Sequence, residues 1–153
     1  MDTRLCYNGT DRMYEVRLGL RVLSSHPTKE QAELALLSGE APKALELAQA
    51  LITAHPELAE RGIKAVALVA QGAVQANGQP DHFEVRSQQK GKEEIYDVDV
   101  DASTCSCADW EHRAPIVNGR RLCKHVLAAL ILRKLGPLAR KSPVRMEVIH
   151  DRP

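Results

Sequence analysis

Aromatic side chains are scarce: one Trp, one Phe and three Tyr make up 3% of 153 residues. Proteins that hold single strands without sequence preference stack bases on exposed rings. Beyond the midpoint only Phe83, Tyr96 and Trp110 are available for that, and two of them fall in an alternating pattern that reads as hairpin core. Long apolar runs are missing too. The longest, Val126 to Leu132, is far short of the roughly 20 residues a membrane-spanning helix needs, so no membrane association is expected. The opening MDTRLCYNGTDRMYE has no apolar stretch and does not read as a signal peptide. A reducing, cytoplasmic setting follows as the expectation, where cysteines more often bind metal or stay plain thiols than form disulfides. No Walker loop, G-x-S-x-G or H-E-x-x-H occurs, and no enzyme is expected. A net charge of +1 names no partner.

What is present suits one compact domain or two small ones, with 44% apolar and 27% charged residues. A globule of this length hides roughly 70% of its unfolded surface, whereas one of half that length hides nearer 60% and calls for a metal or disulfide staple. The fold class expected is α+β, with a small helical bundle followed by a zinc-stabilised β-hairpin plus helix. The boundaries are 1–74 for the helical region, 75–138 for the zinc-binding unit and 139–153 for a basic, flexible tail.

In the first region, Met13, Val16, Leu20 and Leu23 recur at helical spacing, and His26-Pro27 ends that helix. Thr28 with Gln31 forms a capping-box pattern ahead of Leu34, Leu36 and Leu37, and Ser38-Gly39 stops the segment. A third helix begins near Ala41-Pro42 and breaks at His55-Pro56; a fourth holds Ile63, Val66, Ala67 and Ala70. Residues 39–58 resemble the second helix of a tetratricopeptide repeat. Such arrays need roughly three copies, and no second copy appears at that period, so an ordinary bundle is the reading. Its caps and leucines are expected to let it fold without metal.

After Gly72, Asn77, Gly78 and Pro80 the period falls to two. Phe83 and Val85, then Tyr96, Val98 and Val100, alternate with polar residues as an antiparallel hairpin with one apolar face. A last helix spans about Leu122 to Leu135 and ends at Gly136-Pro137. Charge is uneven: from 110 to 145, nine Lys or Arg face a single acid, Glu111.

Cys105, Cys107, Cys123 and His125 form C-x-C, fifteen residues, then C-x-H. Thiolate and imidazole are the ligands tetrahedral zinc prefers, and four of them close the shell of a structural site, where a catalytic zinc keeps one position open. A catalytic Cys and His pair needs one activated thiolate, not three converging. Residues two apart on a strand share a face, so Cys105 and Cys107 can approach one ion. On a helix they diverge by about 200°, so Cys123 must sit in the turn before the last helix and His125 in its first turn. His112 is the one competing ligand, though the turn formers Pro115, Asn118 and Gly119 around it favour an exposed loop. Asp109 is read as a structural acceptor holding that loop. Cys6 is read as a plain thiol, and His26 and His55 as capping or exposed.

The run IYDVDVDASTCSCADW followed by RRLCKHVLAALIL resembles the SWIM zinc finger, over about residues 82–135. It departs from the common Pro-Asp-Phe after the second cysteine, where Ala108, Asp109 and Trp110 stand. The resemblance implies a zinc-held ββα unit that binds DNA or other proteins without catalysis, and it allows a role beside transposition, recombination or helicase machinery. From the charge pattern, Arg113, Arg120, Arg121, Lys124, Arg133 and Lys134 are the expected nucleic-acid contacts, with Arg140, Lys141 and Arg145 beyond them. DNA is favoured over RNA. The alternative is a protein-interaction adaptor that docks a partner through the helical region.

Overall fold

The computed structural model describes residues 3–87, 91–136 and 149–151. It is a mixed α+β structure, but residues 3–26 form three strands joined by turns, not a helix. β1 (Thr3–Asn8), β2 (Met13–Leu18) and β3 (Arg21–His26) run as an antiparallel meander. The helical spacing of Met13, Val16, Leu20 and Leu23 is coincidental. Leu20 lies in the turn after β2 and is 97% exposed. Local turn chemistry decides the outcome. Asn8 Oδ1 accepts the N–H groups of Thr10 at 3.0 Å and Asp11 at 3.4 Å, which reverses the chain into β2. Gly19 takes φ +60° at the first position of the two-residue turn between Leu18 and Arg21, where a residue without Cβ suits a hairpin. A last strand, β10 (Ile149–Asp151), lies parallel to β1, giving the order β10-β1-β2-β3. The rest of the expected 139–153 tail is outside the described residues.

The helices that follow match their sequence signals closely. α1 (Lys29–Glu40) is capped by Thr28, whose hydroxyl accepts the Gln31 N–H at 3.3 Å. It runs through Ser38 and Gly39 to Glu40. α2 (Pro42–Ala54) starts on its proline, and a 3-10 turn at Pro56–Leu58 leads into α3 (Ala59–Ala70). At Gly62 an added Cβ would lie 3.0 Å from Ile52 Cδ1, so the absent side chain lets α3 close onto α2.

The C-terminal half builds a second sheet in the order β4-β5-β6-β7 from β4 (Val74–Ala76), β5 (His82–Arg86), β6 (Ile95–Asp99) and β7 (Thr104–Cys105). Its apolar face, with Phe83, Val85 and Val98, is buried, and Glu84 and Asp97 point outward. The short α4 (Ala108–His112) and the tight pair β8 (Ile116–Val117) and β9 (Arg120–Arg121) form the loop before α5 (Lys124–Leu135). That pair turns on Asn118 and Gly119, both with positive φ, the mirror-image turn that Asn-Gly favours.

α5 lies between this sheet on one side and α3 and α2 on the other. Its residues His125 to Ala129 are all buried in succession, as a helix covered on every side requires. Consequently α2 and α3 have no core separate from that of the C-terminal half. Ala48, Ala65 and Val66 share one apolar cluster with Val85, Val98, Leu127, Ile131 and the three cysteines of the C-terminal half. A separate, smaller cluster joins Leu5 and Val16 of the N-terminal sheet to Ala32 and Leu36 of α1. Among the described residues, no helix is long and apolar enough to cross a membrane.

Candidate metal centre

The sulfur atoms of Cys105, Cys107 and Cys123 and a ring nitrogen of His125 all lie within 4.8 Å of one another, and all four residues are buried. Cys105 ends β7. Cys107 has extended backbone and is the N-cap of α4, while Cys123 is the N-cap of α5 and His125 its second residue. The C-x-H pair thus divides between turn and first helical turn, as its spacing demands. The C-x-C pair divides between a strand end and a helix cap, so one continuous strand is not what holds it.

Both caps are made by sulfur. Cys107 Sγ accepts the Trp110 N–H at 3.3 Å, and Cys123 Sγ accepts the Val126 N–H at 3.5 Å. A backbone donor and the positive end of a helix both favour the thiolate, which is the form that binds metal. His125 turns Nδ1 towards the sulfurs, 3.7 Å from Cys105 Sγ and 4.0 Å from Cys123 Sγ. Its ring is backed by Tyr96, with centroids 4.6 Å apart.

Donor chemistry and spacing both fit zinc. Tetrahedral bonds of about 2.3 Å to sulfur and about 2.0 Å to nitrogen set donor atoms roughly 3.5 to 3.8 Å apart, close to the sulfur–nitrogen distances found. Hydrogen bonds from Cys105 and Cys123 hold the Cys107 thiol far below its ordinary range, and the same contact with Cys107 pushes Cys105 far up. Cys123, drawn down by Cys105 but up by Cys107 and by burial, is raised to about 11. Thiolates this close oppose one another's ionisation; a divalent cation lets all three ionise.

The loop between the pairs is braced by residues that are not ligands. Asp109 accepts Arg61 of α3 on both oxygens, at 2.9 and 3.0 Å, and that guanidinium lowers its pKa. Trp110 Nε1 donates to the carbonyls of Ser103 at 2.8 Å and Arg121 at 3.2 Å. Arg121 lies over the Trp110 ring and donates to the carbonyls of Trp110 and Glu111. Trp110 stands where the common family pattern has Phe and became an anchor, as did Asp109, which keeps that pattern's Asp. The roles of Arg61 and Trp110 had no local signal in the sequence, since their partners lie 48 and 7 to 11 residues away.

His112 is exposed, beside Glu111, and lies outside the cluster. Cys6 is buried on β1, also outside it. The six expected nucleic-acid contacts divide. Arg121 is engaged as above, and Arg133 pairs with Asp81 at 2.9 Å. Arg113 is 79% exposed, with only a 4.0 Å approach to Asp109. Arg120 and Lys134 are exposed and Lys124 half-buried, and none of the three has an ion pair among the described residues.

Comparison with curated proteins and with solved structures found no match. Among family models, that of the SWIM zinc finger matches residues 96–134, from β6 to the end of α5. This stretch begins later than the resemblance read from the sequence and leaves α1 to α3 outside. With the matching pattern and four converging donors in one place, residues 96–134 carry a SWIM zinc finger, and Cys105, Cys107, Cys123 and His125 are the residues placed to hold its zinc.

Proposed function

We propose that this finger binds nucleic acid, duplex DNA above all, by its phosphates, and that its zinc is structural and serves no catalysis. The observation that carries the reading is the set of cations at the finger that no close ion pair engages among the described residues. Arg120 on the tight hairpin, Lys124 at the start of α5, Lys134 near its end and the exposed Arg113 lie in a segment whose one acid, Glu111, sits beside His112. Basic side chains at a helix N-terminus oppose the helix dipole, so Lys124 gains nothing for stability there and is free for a ligand.

Phosphate contact is favoured over base stacking because the rings are occupied. Phe83 is buried, Tyr96 backs His125, and Trp110 lies under Arg121. The Val126 N–H is likewise taken by Cys123, so the grip on phosphate falls to side chains. A place beside recombination, transposition or helicase machinery is compatible with such sequence-tolerant binding.

Replacing Arg120 and Lys124 together by Ala should preserve zinc content and folding, and weaken duplex binding similarly across sequences. The slope of log affinity against log salt should shrink by about 0.9 per contact, hence by up to about 1.8. The adaptor reading draws on one observation, the exposed Leu20, Val22 and Leu23 at and beside the edge strand β3. Absence of salt-dependent DNA binding by the unaltered chain would favour it.

A further inference from the structure

We propose that Arg61, on α3 and outside the finger, is a positioning residue for the zinc loop, and that zinc occupancy and the seating of α3 are coupled through it. The inference rests on the zinc site and not on nucleic-acid binding.

Arg61 grips both ends of α4. Its Nε and Nη2 hold the two carboxylate oxygens of Asp109 at 3.0 and 2.9 Å, and Nη2 also donates to the Arg113 carbonyl at 3.3 Å. Asp109 in turn accepts the N–H groups of Arg113 at 2.9 Å and Ala114 at 2.7 Å on its own carbonyl, which closes the helix. A five-residue helix cannot persist alone, because nucleation costs more than one turn returns. α4 therefore stands on tertiary supports: the Cys107 cap at its start, the Trp110 and Arg121 contacts on one side, and the Arg61 fork, the one that comes from outside the finger. α3, which carries Arg61, also packs along α5, whose first turn supplies Cys123 and His125. One helix thereby touches both the segment that begins at Cys107 and the helix that begins at Cys123 and His125.

A planar, bidentate fork fixes an angle as well as a distance, which a single lysine contact does not. Both side chains are about three-quarters shielded, at 24% and 27% exposure, so the pair is not an ordinary surface contact. Coupling of this kind is reciprocal: whatever factor Arg61 contributes to zinc affinity, zinc contributes to holding α3 on the loop.

The test is a zinc titration of the full chain against a chromophoric chelator under reducing conditions, for Arg61→Gln, Asp109→Asn and the double variant. Groups that orient metal ligands typically contribute roughly 10- to 100-fold in affinity, and each single change should cost a factor in that range. The double should be no worse than the weaker single by more than about threefold, since both remove one contact. Lys64→Gln, which breaks the exposed pair with Glu60 on the same helix, should leave affinity unchanged. Amide exchange supplies the reciprocal readout: zinc should protect α3 strongly in the unaltered chain and weakly in Arg61→Gln. Should Arg61→Gln fail to fold, Asp109→Asn, which preserves size, decides alone. Zinc affinity within about threefold of the unaltered chain in a folded variant, or fully additive losses in the double, would overturn the proposal.

Discussion

The N-terminal sheet and the finger with its helices solve the same problem with unequal means. Around β1 and β2 the buried apolar cluster is Leu5, Val16, Ala32 and Leu36, with Tyr14 and Ala35 packed at its margin. The other cluster runs from Leu37 to Ile131 and takes in all three zinc-site cysteines. α1 is the seam, since neighbouring residues Leu36 and Leu37 enter different clusters. The small region relies on turn geometry and a buried polar group, Glu15, held by Asn8 at 2.9 Å and by Arg17. The large one draws on area, and its zinc-site cysteines lie inside the apolar cluster, so loss of the metal should loosen the helices as well as the loop.

Cys123→Ser should therefore have the largest and the most one-sided effect. It removes a ligand and the sulfur cap of α5 at once. Apparent zinc-binding energies in small fingers are on the order of 10–16 kcal/mol, as large as the whole stability of a typical domain, about 5–15 kcal/mol. Metal analysis should fall from one zinc per chain to near none, and α2, α3 and α5 should lose order together with the finger. The N-terminal meander should retain its protection.

Acid should separate the regions more gently. In the finger, thiolates take up protons as pH falls and zinc leaves. In the meander, the hydrogen bond from Asn8, followed by the Arg17 contacts, lowers the Glu15 pKa against the opposing effect of burial. A carboxylate with a folded pKa below its unfolded one contributes stability above the unfolded value and loses it as pH drops through the folded value. Glu15→Gln should remove that acid dependence from β1 and β2 and leave the midpoint of zinc release unmoved. Residue-resolved NMR against pH, with a zinc dye in parallel, checks both halves of the statement.

These two regions also differ in how plainly they could be read. Zinc ligation constrains residue type and spacing, so Cys105, Cys107, Cys123 and His125 stood out, and the helical geometry of C-x-H placed its two ligands correctly. Thr28 and Gln31 announced α1 for a similar reason, a cap being a local arrangement. Residues 13–23 misled because four apolar residues happened to fit a helical stripe, while Asn8-Gly9 and Gly19, the stronger signals for hairpin turns, outweigh it physically. Asn118-Gly119 carried the same message inside the loop for β8 and β9. Arg61 and Trp110 could not be found from spacing, because their roles depend on which distant segments the core brings together. Arg121 and Arg133 illustrate the limit of charge as a guide: both belong to the basic segment, yet one braces Trp110 and the other pairs with Asp81.

The claim on which these statements depend is that zinc staples a core reaching into α2 and α3, and amide hydrogen exchange on the full chain, before and after chelation under reducing conditions, tests it most directly. Protection should disappear together from α5, from β5 and β6 and from α2 and α3, and persist in β1 and β2. Unchanged protection of α2 and α3 while the finger opens would contradict the claim and show a helical region that folds without the metal.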